Sequence, residues 1–349
     1  MLNPLAPSRR SRLAALVAAG SLALTACGGD GDGAGSDLPA DPTGAVGQAL
    51  ENSLEDTFAV TFSLEFSEGA KTAVVEEMGA DLPAGVAEML LDASLTLAGD
   101  TGQFGMGLTV GDSERFGFRA LGDAFYMRVD VPWLGTVSGD ALPPDLAEQA
   151  AGAAAFLGDL APLIQPAIAG DWIGIDGVPA DWQDQLGGIA ESMGGVDVGA
   201  TDGEIDYTDI DFPGLIADHV TATEVDGGYD VAINLRALAT ALAAELPESV
   251  MAADDRASIA ELPETLTGIR VLLDGNKVTQ VRLDGYSLAK SLDPDATDEK
   301  FGEGDVTIVM DIAGDAGDWL SEPGDAVTAS FDSLVSTFGM LGGMMGGVG

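Results

Sequence analysis

The residues of this chain that could do chemistry are few and isolated. His219 is the only histidine and Cys27 is the only cysteine. A Ser-His-Asp nucleophile would need His219, which opens a predicted strand among polar residues and is interpreted as a strand-edge side chain. One histidine and one cysteine cannot supply a zinc site, and the chain lacks a nucleophile elbow, a phosphate loop and a dinucleotide fingerprint. The sequence therefore predicts a protein that is not an enzyme, with no catalytic residue and no bound metal.

Carboxylates, in contrast to other reactive side chains, are abundant: the chain has 58 Asp and Glu against 14 Lys and Arg. With so many acids some pair is always close, so a glycosidase-type carboxylate pair carries little information. The run that starts at Asp293 resembles a calcium loop, but Asp298 stands where Gly is needed and Gly304 where Glu is needed. A second acidic cluster comprises Glu204, Asp206, Asp209 and Asp211. Weak binding of a divalent cation stays open as an alternative to solvated loops.

The acidic balance restricts the partners of the chain. Its formal net charge of −44 repels phosphate backbones and anionic membrane surfaces. Nucleic-acid binding is therefore excluded, and direct docking on anionic head groups is not expected. Hydrophobic residues make up 46% of the chain and its mean hydropathy is +0.21, which predicts a folded core.

Cys27 has a different chemistry, which is set by the residues before it. Arginines within residues 9–12 are followed by the apolar run Leu13–Leu24, and Leu24-Thr25-Ala26 stands directly before the cysteine. This is the layout of a secretory signal with a bacterial lipobox. We predict a lipoprotein signal peptide over residues 1–26, exported by the general or the twin-arginine route, and a covalent diacylglyceryl lipid on Cys27. Two acyl chains hold a protein firmly, so we expect a lipid anchor on the extracytoplasmic face of the cell membrane.

The segment after Cys27 predicts a tether and then a sheet. Residues 27–43 are rich in Gly and Asp and predict a flexible spacer. A helix is predicted from Gly44 to Glu55, with Val46, Leu50 and Leu54 on one face. From Phe58 onward, apolar and polar residues alternate strictly. The alternation recurs between turn signals at residues 99–100, 111–112 and 122–123, which predicts an antiparallel meander with one apolar face.

That apolar face is the candidate ligand site. Its aromatic and methionine side chains are Phe58, Phe62, Phe104, Met106, Phe116, Phe118, Phe125 and Met127. Gly105, Gly107 and Gly117 fall on the opposite face and are interpreted as points where the sheet bends. The pattern predicts a strongly curved sheet whose concave side is apolar.

The rest of the chain predicts further helices and hairpins. Helices are expected over 143–169, broken near Pro162 and Pro166, and over 180–193 and 236–246, with irregular structure over 194–212. Strands are expected over 171–176, 220–225, 229–235, 266–273, 278–283 and 305–312, which gives about nine or ten strands in all. We predict an α+β domain over residues 44–320, with an insertion at 141–215. A C-terminal helix and a Gly/Met-rich tail follow over 321–349.

Three short sequence segments resemble those of a known family. Asp123-Ala124-Phe125-Tyr126-Met127-Arg128, Asp171-Trp172-Ile173 and Gly228-Tyr229-Asp230-Val231 resemble segments of the actinobacterial LolA-like lipid-carrier lipoproteins, the LppX/LprG type. The layout of tether, leading helix and meander is similar over most of residues 44–312. The resemblance implies a half-barrel of antiparallel strands, helices that cover its concave face, and a cavity for acyl chains between the two layers.

Together these features predict a membrane-anchored extracytoplasmic lipoprotein that binds or carries a lipid or another apolar ligand. Its expected partners are the membrane, through the anchor, a lipid ligand, and an envelope protein. No cofactor is expected beyond the covalent lipid on Cys27. The alternatives are a non-enzymatic envelope interaction or structural module with a filled core, and a weak binder of divalent cations.

Overall fold

The computed structural model describes residues 38–54, 57–78, 82–83, 85–100, 102–139, 143, 145–154, 157–179, 218–245, 253–292 and 301–337. Several predicted features lie outside the described residues. They are the signal peptide, Cys27 with most of the tether, the helix at 180–193, the irregular segment at 194–212, both acidic clusters and the end of the Gly/Met-rich tail.

The helices are short and mostly connect strands. They are α1 (Pro42–Leu54), α2 (Glu68–Met78), α3 (Val86–Leu91), α4 (Val131–Ser138), α5 (Leu146–Ala154), α6 (Ala161–Ala169), α7 (Leu235–Glu245), α8 (Ala253–Ser258) and α9 (Gly285–Leu292). Short 3₁₀ helices cover Gly158–Leu160, Ile259–Glu261 and Gly317–Leu320. Residues 331–337 are also helical.

The described part of the chain contains twelve strands. They are β1 (Phe58–Phe66), β2 (Ala93–Asp100), β3 (Gln103–Val110), β4 (Ser113–Leu121), β5 (Ala124–Val129), β6 (Ile173–Asp176), β7 (Val220–Val225), β8 (Gly228–Ile233), β9 (Leu266–Asp274), β10 (Lys277–Asp284), β11 (Val306–Ala313) and β12 (Val327–Ser330).

The chain divides into two compact units, and each combines an antiparallel sheet with helices. Unit 1 comprises Met1–Asp56, Glu65–Ala70 and Val198–Gly314, and unit 2 comprises Thr57–Leu64, Lys71–Asp197 and Asp315–Gly349. In unit 1 the strand order is β11-β10-β9-β8-β7. In unit 2 it is β12-β6-β5-β4-β3-β2-β1, with β12 parallel to β6 and the other pairs antiparallel.

The α+β class and the antiparallel meander are confirmed, with three local corrections. The strand over 305–312 is not the last, because β12 follows it and pairs with β6. Helices α2 and α3, between the first two strands, are not apparent from the apolar pattern. The helical segment expected over 143–169 is divided before Pro162 into α5 and α6, as expected, but it is not broken at Pro166. Pro162 occupies the first turn of α6, where it blocks no helical hydrogen bond, and Pro166 lies inside that helix.

Unit 1 buries the apolar face of its sheet. The buried side chains on this face are Ala222, Val231, Ile269, Val271, Val281, Leu283, Met310 and Ile312. Helix α1 packs against β7 and β10, and α9 packs against β9, β10 and β11. The other face carries charge pairs, because Arg270 donates to Asp230 at 3.0 Å and Arg282 pairs with Glu65. The cross-strand register places Arg270 directly opposite both Asp230 and Arg282.

A buried hydroxyl attaches α1 to this sheet. The Ser53 hydroxyl accepts the Val278 N–H at 2.7 Å and lies 2.7 Å and 3.0 Å from the carbonyl oxygens of Ala49 and Val278. Asp41 begins the helix by accepting the Gly44 N–H at 2.7 Å, with Pro42 as the first helical residue. Val46 and Leu50 are buried, as the predicted helix face requires.

Candidate functional site

The eight candidate side chains lie on one face of the unit 2 sheet, which we call the front face. Directly opposed residues in neighbouring antiparallel strands point to the same side, so the register defines the face. It consists of three cross-strand rows. The rows are Phe58, Gly99, Phe104, Ala120, Phe125 and Ile175; Val60, Leu97, Met106, Phe118, Met127 and Ile173; and Phe62, Leu95, Leu108, Phe116 and Val129.

The large side chains of the front face are not fully buried. Leu95, Phe104 and Met127 are exposed by 38%, 37% and 43%, and the remaining large side chains of the rows are half-buried. The aromatic rings form a connected group, since Phe118 lies 6.4 Å from Phe104 and 6.0 Å from Phe125 between ring centroids. Neighbouring aromatic and aliphatic side chains that remain in contact with water on one face of a sheet are typical of a binding surface.

The opposite face, which we call the back face, carries small and polar residues and is covered. Its rows are Ala59, Ala98, Gly105, Arg119, Tyr126 and Gly174; Thr61, Thr96, Gly107, Gly117 and Arg128; and Ser63, Ser94, Thr109 and Glu114. Trp319 and Leu320 pack on Ala59 and Ala98, while Trp172 packs with Ala124 and Tyr126. Unit 2 therefore buries its polar face and leaves its apolar face accessible.

The back-face glycines are required for close approach to two tryptophans. A methyl group placed on Gly107 would lie 2.3 Å from the Trp319 ring, and one on Gly117 would lie 2.4 Å from the Trp172 ring. Gly105 faces the carbonyl oxygen of Trp319, which a methyl group would approach to 2.5 Å. These distances are shorter than any real carbon contact, so only glycine fits. The interpretation of these glycines as bending points alone missed this contact.

A buried arginine lies between the two tryptophans. The Arg119 guanidinium stands 4.6 Å from the Trp172 ring centroid and 5.9 Å from that of Trp319. It donates to the Ser321 carbonyl oxygen at 2.8 Å. Stacking on two rings is a favourable environment for this planar cation. The sequence did not predict this group, because nothing in the spacing of Trp172 and Trp319 indicates that both contact Arg119.

Glu114 completes the back-face cluster. Within the described structure its Oε1 atom is buried with no hydrogen-bond partner, as is the Arg119 Nε atom. Burial raises the pKa of the Glu114 carboxyl, while Arg119 and Arg128 oppose that shift. Burial also lowers the pKa of Arg119. The cluster is therefore a costly polar layer, which the Trp rings shield from water.

A cleft of about 390 Å³ lies beside the first two strands of unit 2. Its lining residues are Lys71, Thr72, Val75 and Glu76 of α2, with Leu91 and Asp92 just before β2. None of the eight candidate side chains lines it. In the chain the lining residues fall between the first two strands, because α2 follows β1 and Asp92 directly precedes β2.

The remaining sequence candidates have no part in this arrangement. His219 is half-buried in unit 1, where its backbone carbonyl accepts the Asn234 N–H at 2.8 Å. Within the described ranges, no group of three or more His, Cys, Asp and Glu side chains is placed to hold a metal ion. No helix among the described residues is both long and apolar enough to span a bilayer.

Comparison with known proteins gives a likeness in structure but none in sequence. The chain matches no protein-family model and no curated protein sequence. A structure search matches the crystal structure of the Mycobacterium tuberculosis lipoprotein LppX, with 11% sequence identity, over 80% of this chain and 96% of that chain. The TM-score of this superposition is 0.26. A score this low transfers no property of LppX to this chain.

Proposed function

We propose that this chain is a membrane-anchored extracytoplasmic lipoprotein that binds or carries a lipid or another apolar ligand on the front face of unit 2. The observation that supports the proposal is the inverted burial of that sheet. Phe, Met and Leu side chains remain accessible on the front face, while Arg119 and Thr96 are buried on the back face. A sheet selected for stability alone would bury its apolar front face and expose its polar back face.

The driving force for such a ligand is the removal of apolar surface from water. Each acyl CH₂ group that leaves water on the front face contributes roughly 0.8 kcal/mol. The cross-strand rows that contain Phe118 and Phe104 form a continuous apolar surface several strands wide. In this proposal unit 2 is a half-barrel whose concave side is the front face, and the acyl chain lies against the accessible side chains of that face.

Attachment to the membrane is proposed to depend on the lipid of Cys27. The chain is too acidic to adhere to anionic head groups, so the anchor is its hold on the bilayer. We expect the Cys27→Ala variant to be released as a folded, soluble protein in a membrane fractionation. Retention of that variant with the membranes would show that another segment is the anchor.

Ligand binding is tested by native mass spectrometry on the chain from Gly28 onward, which contains every described residue. We expect co-purified lipid, or uptake of a fatty-acyl probe. The Phe104→Ser variant should weaken uptake roughly tenfold, since it removes apolar contact area. Val335→Ser is the matched control, because Val335 is 51% exposed and is not on the front face.

The same experiment separates the alternative function. A preparation that contains no lipid, takes up no acyl probe and holds a stoichiometric protein partner would show an envelope interaction module. Uptake that is equal in Phe104→Ser, Val335→Ser and the unaltered chain would place the ligand elsewhere. The proposed role involves no catalytic step and no cofactor.

A further inference from the structure

We infer that residues 338–349, which we call the Gly/Met segment, dock on the front face of unit 2 and compete there with the apolar ligand. This inference rests on the proposed function, because it adds a means of regulating the same site. Its basis is the place where the chain leaves the described structure, the length of the segment, and the absence of charge from both the segment and the face.

The chain leaves the described structure beside the front face. Strand β12 pairs in parallel with β6, and Ala329 stands opposite Ile175, which ends one row of that face. The helix at residues 331–337 follows β12 directly. Because seven helical residues span only about 10 Å, the Gly/Met segment starts within roughly that distance of the end of β12.

This last helix is held in unit 2 at both of its ends. Phe331 at its start and Thr337 at its end are 7% and 6% exposed. The Thr337 hydroxyl donates to the Leu157 carbonyl oxygen at 3.4 Å. The starting point of the Gly/Met segment is therefore fixed relative to the strands of the same unit.

The segment is long enough to cross the front face. Neighbouring strands lie about 4.8 Å apart, so the five steps from β12 to β2 span roughly 24 Å. The twelve residues of the segment reach about 40 Å when extended. The segment can therefore pass over Met127 of β5 and Phe118 of β4 and reach Leu95 of β2.

The composition of the segment matches that of the face. The segment has no charged or polar side chain, and half of its residues are glycine. Its other residues are Phe338, Met340, Leu341, Met344, Met345 and Val348. The rows of the front face are likewise without a charged or polar side chain. Methionine adapts to irregular apolar surfaces, and glycine lets a backbone approach a sheet closely.

Charge disfavours other occupants that this chain could supply. Outside the described ranges, every other segment of more than three residues contains Asp or Glu, for example Glu248 in residues 246–252. An acid brought onto the front face would lose hydration, and the rows offer it no partner. A second copy would bring a net charge of −44 toward the same charge, which opposes association. The Gly/Met segment is therefore the occupant that fits the face best.

A docked segment lowers the apparent affinity for the ligand. The ligand can bind only to the fraction of molecules whose front face is uncovered. A segment that covers the face in about nine molecules of ten therefore weakens binding about tenfold. It also removes apolar side chains from water while no ligand is bound.

Cross-linking tests the position of the segment. The chain from Gly28 onward contains no cysteine, because Cys27 is the only one. The test compares Met344→Cys/Met127→Cys with Met344→Cys/Leu134→Cys. Met127 and Leu134 are 43% and 45% exposed, and only Met127 belongs to the rows of the front face. A disulfide requires Cα atoms within about 7 Å, so the Met127 pair should form an intramolecular disulfide about fivefold faster.

Ligand binding tests the competition. Dodecanoyl lysophosphatidylcholine is titrated by calorimetry into the unaltered chain and into Met340→Ser/Met344→Ser/Met345→Ser. We expect the triple variant to bind this probe about tenfold more tightly, because its segment loses apolar contact with the face. Val335→Ser is the control, since Val335 is 51% exposed in the helix before the segment. It should bind the probe as the unaltered chain does.

Two results would overturn the inference. Equal disulfide rates in the two double-cysteine variants, or disulfides mainly between two chains, would show that the segment does not dock on its own front face. Equal probe affinity in the triple variant and the unaltered chain would show that the segment does not compete with the ligand. Failure of every chain to bind the probe would reject the proposed function, whereas the disulfide rates would still decide whether the segment docks.

Discussion

Units 1 and 2 bury opposite kinds of sheet face. In unit 1 the apolar face is buried under α1 and α9, and the polar face carries exposed charge pairs such as Arg270 with Asp230. In unit 2 the polar face is buried under Trp172 and Trp319, and the apolar face is accessible. Both sheets alternate apolar and polar residues, so alternation alone does not determine which face is buried.

The difference shows what decides burial. Glycine and alanine on the back face of unit 2 leave room for large aromatic rings to approach the backbone. The phenylalanines of the front face remain half-buried, except Phe104, which is exposed by 37%. Unit 1 therefore has the features of a stable scaffold, and unit 2 keeps accessible the apolar face for which we propose ligand binding.

The largest expected effect contrasts one leucine from each unit. Leu266 of unit 1 is 1% exposed, so Leu266→Ala should lower the free energy of unfolding by roughly 2–5 kcal/mol. Leu95 of the front face is 38% exposed, so Leu95→Ala should cost less than about 1 kcal/mol. Urea unfolding of both variants measures the difference. Equal losses would show that the front face acts as an ordinary core.

A somewhat smaller effect is expected from the back-face glycines. Gly117→Ala should destabilise the protein by about 1–3 kcal/mol, because the new methyl group clashes with the Trp172 ring. Gly99→Ala on the front face is the control, since its methyl group would lie 3.1 Å from the edge of the Phe58 ring, which can turn away. Thermal unfolding compares the two. A larger loss for Gly99→Ala would contradict the assignment of the two faces.

A pH-dependent effect is expected from Glu114. Its pKa is raised in the folded protein above the ordinary value of 4.5, so the folded state holds the proton to higher pH than the unfolded state. Stability should therefore fall as pH rises from about 4.5 through the raised pKa, and the penalty should persist at neutral pH. Glu114→Gln should remove this slope and raise the melting temperature at pH 7. An unchanged pH profile would show that Glu114 is solvated in the folded protein.

The smallest effect is expected on the polar face of unit 1. The ion pair of Arg282 with Glu65 is partly exposed, so Arg282→Gln should cost about 0.2–1 kcal/mol, and less at high salt. Chemical denaturation at low and high salt measures this change. A loss above roughly 2 kcal/mol would show that the charged face of unit 1 is as important as its core.

The sequence predicts the sheets well because their strands alternate strictly. Phe58 begins the first strand as expected, and the eight candidate side chains share one face in the observed register. Turn signals such as Gly111-Asp112 separate the correct strands. Periodicity of two and turn chemistry are local properties, so a single chain is sufficient to reveal them.

The burial of the two faces could not be predicted in this way. Trp319 covers Gly105 and Gly107 from a position far along the chain, and no local pattern connects these residues. Helix α2 was also missed, because its one buried residue, Ala70, gives no apolar stripe. Packing between residues far apart in the chain determines which face is buried, and the only local sign of it is the glycines that permit close approach.

The hydrogen bond from Arg119 to Ser321 has a consequence for the order of folding. These residues are 202 positions apart, and the strands of unit 1 from β7 to β11 lie between them in the chain. During synthesis, Trp172 becomes available soon after β4, but Trp319 becomes available only after Ala313. Contacts of such long range also form slowly in an intact chain. Docking of Trp319 should therefore be a late step in refolding, and its fluorescence should report the completion of unit 2.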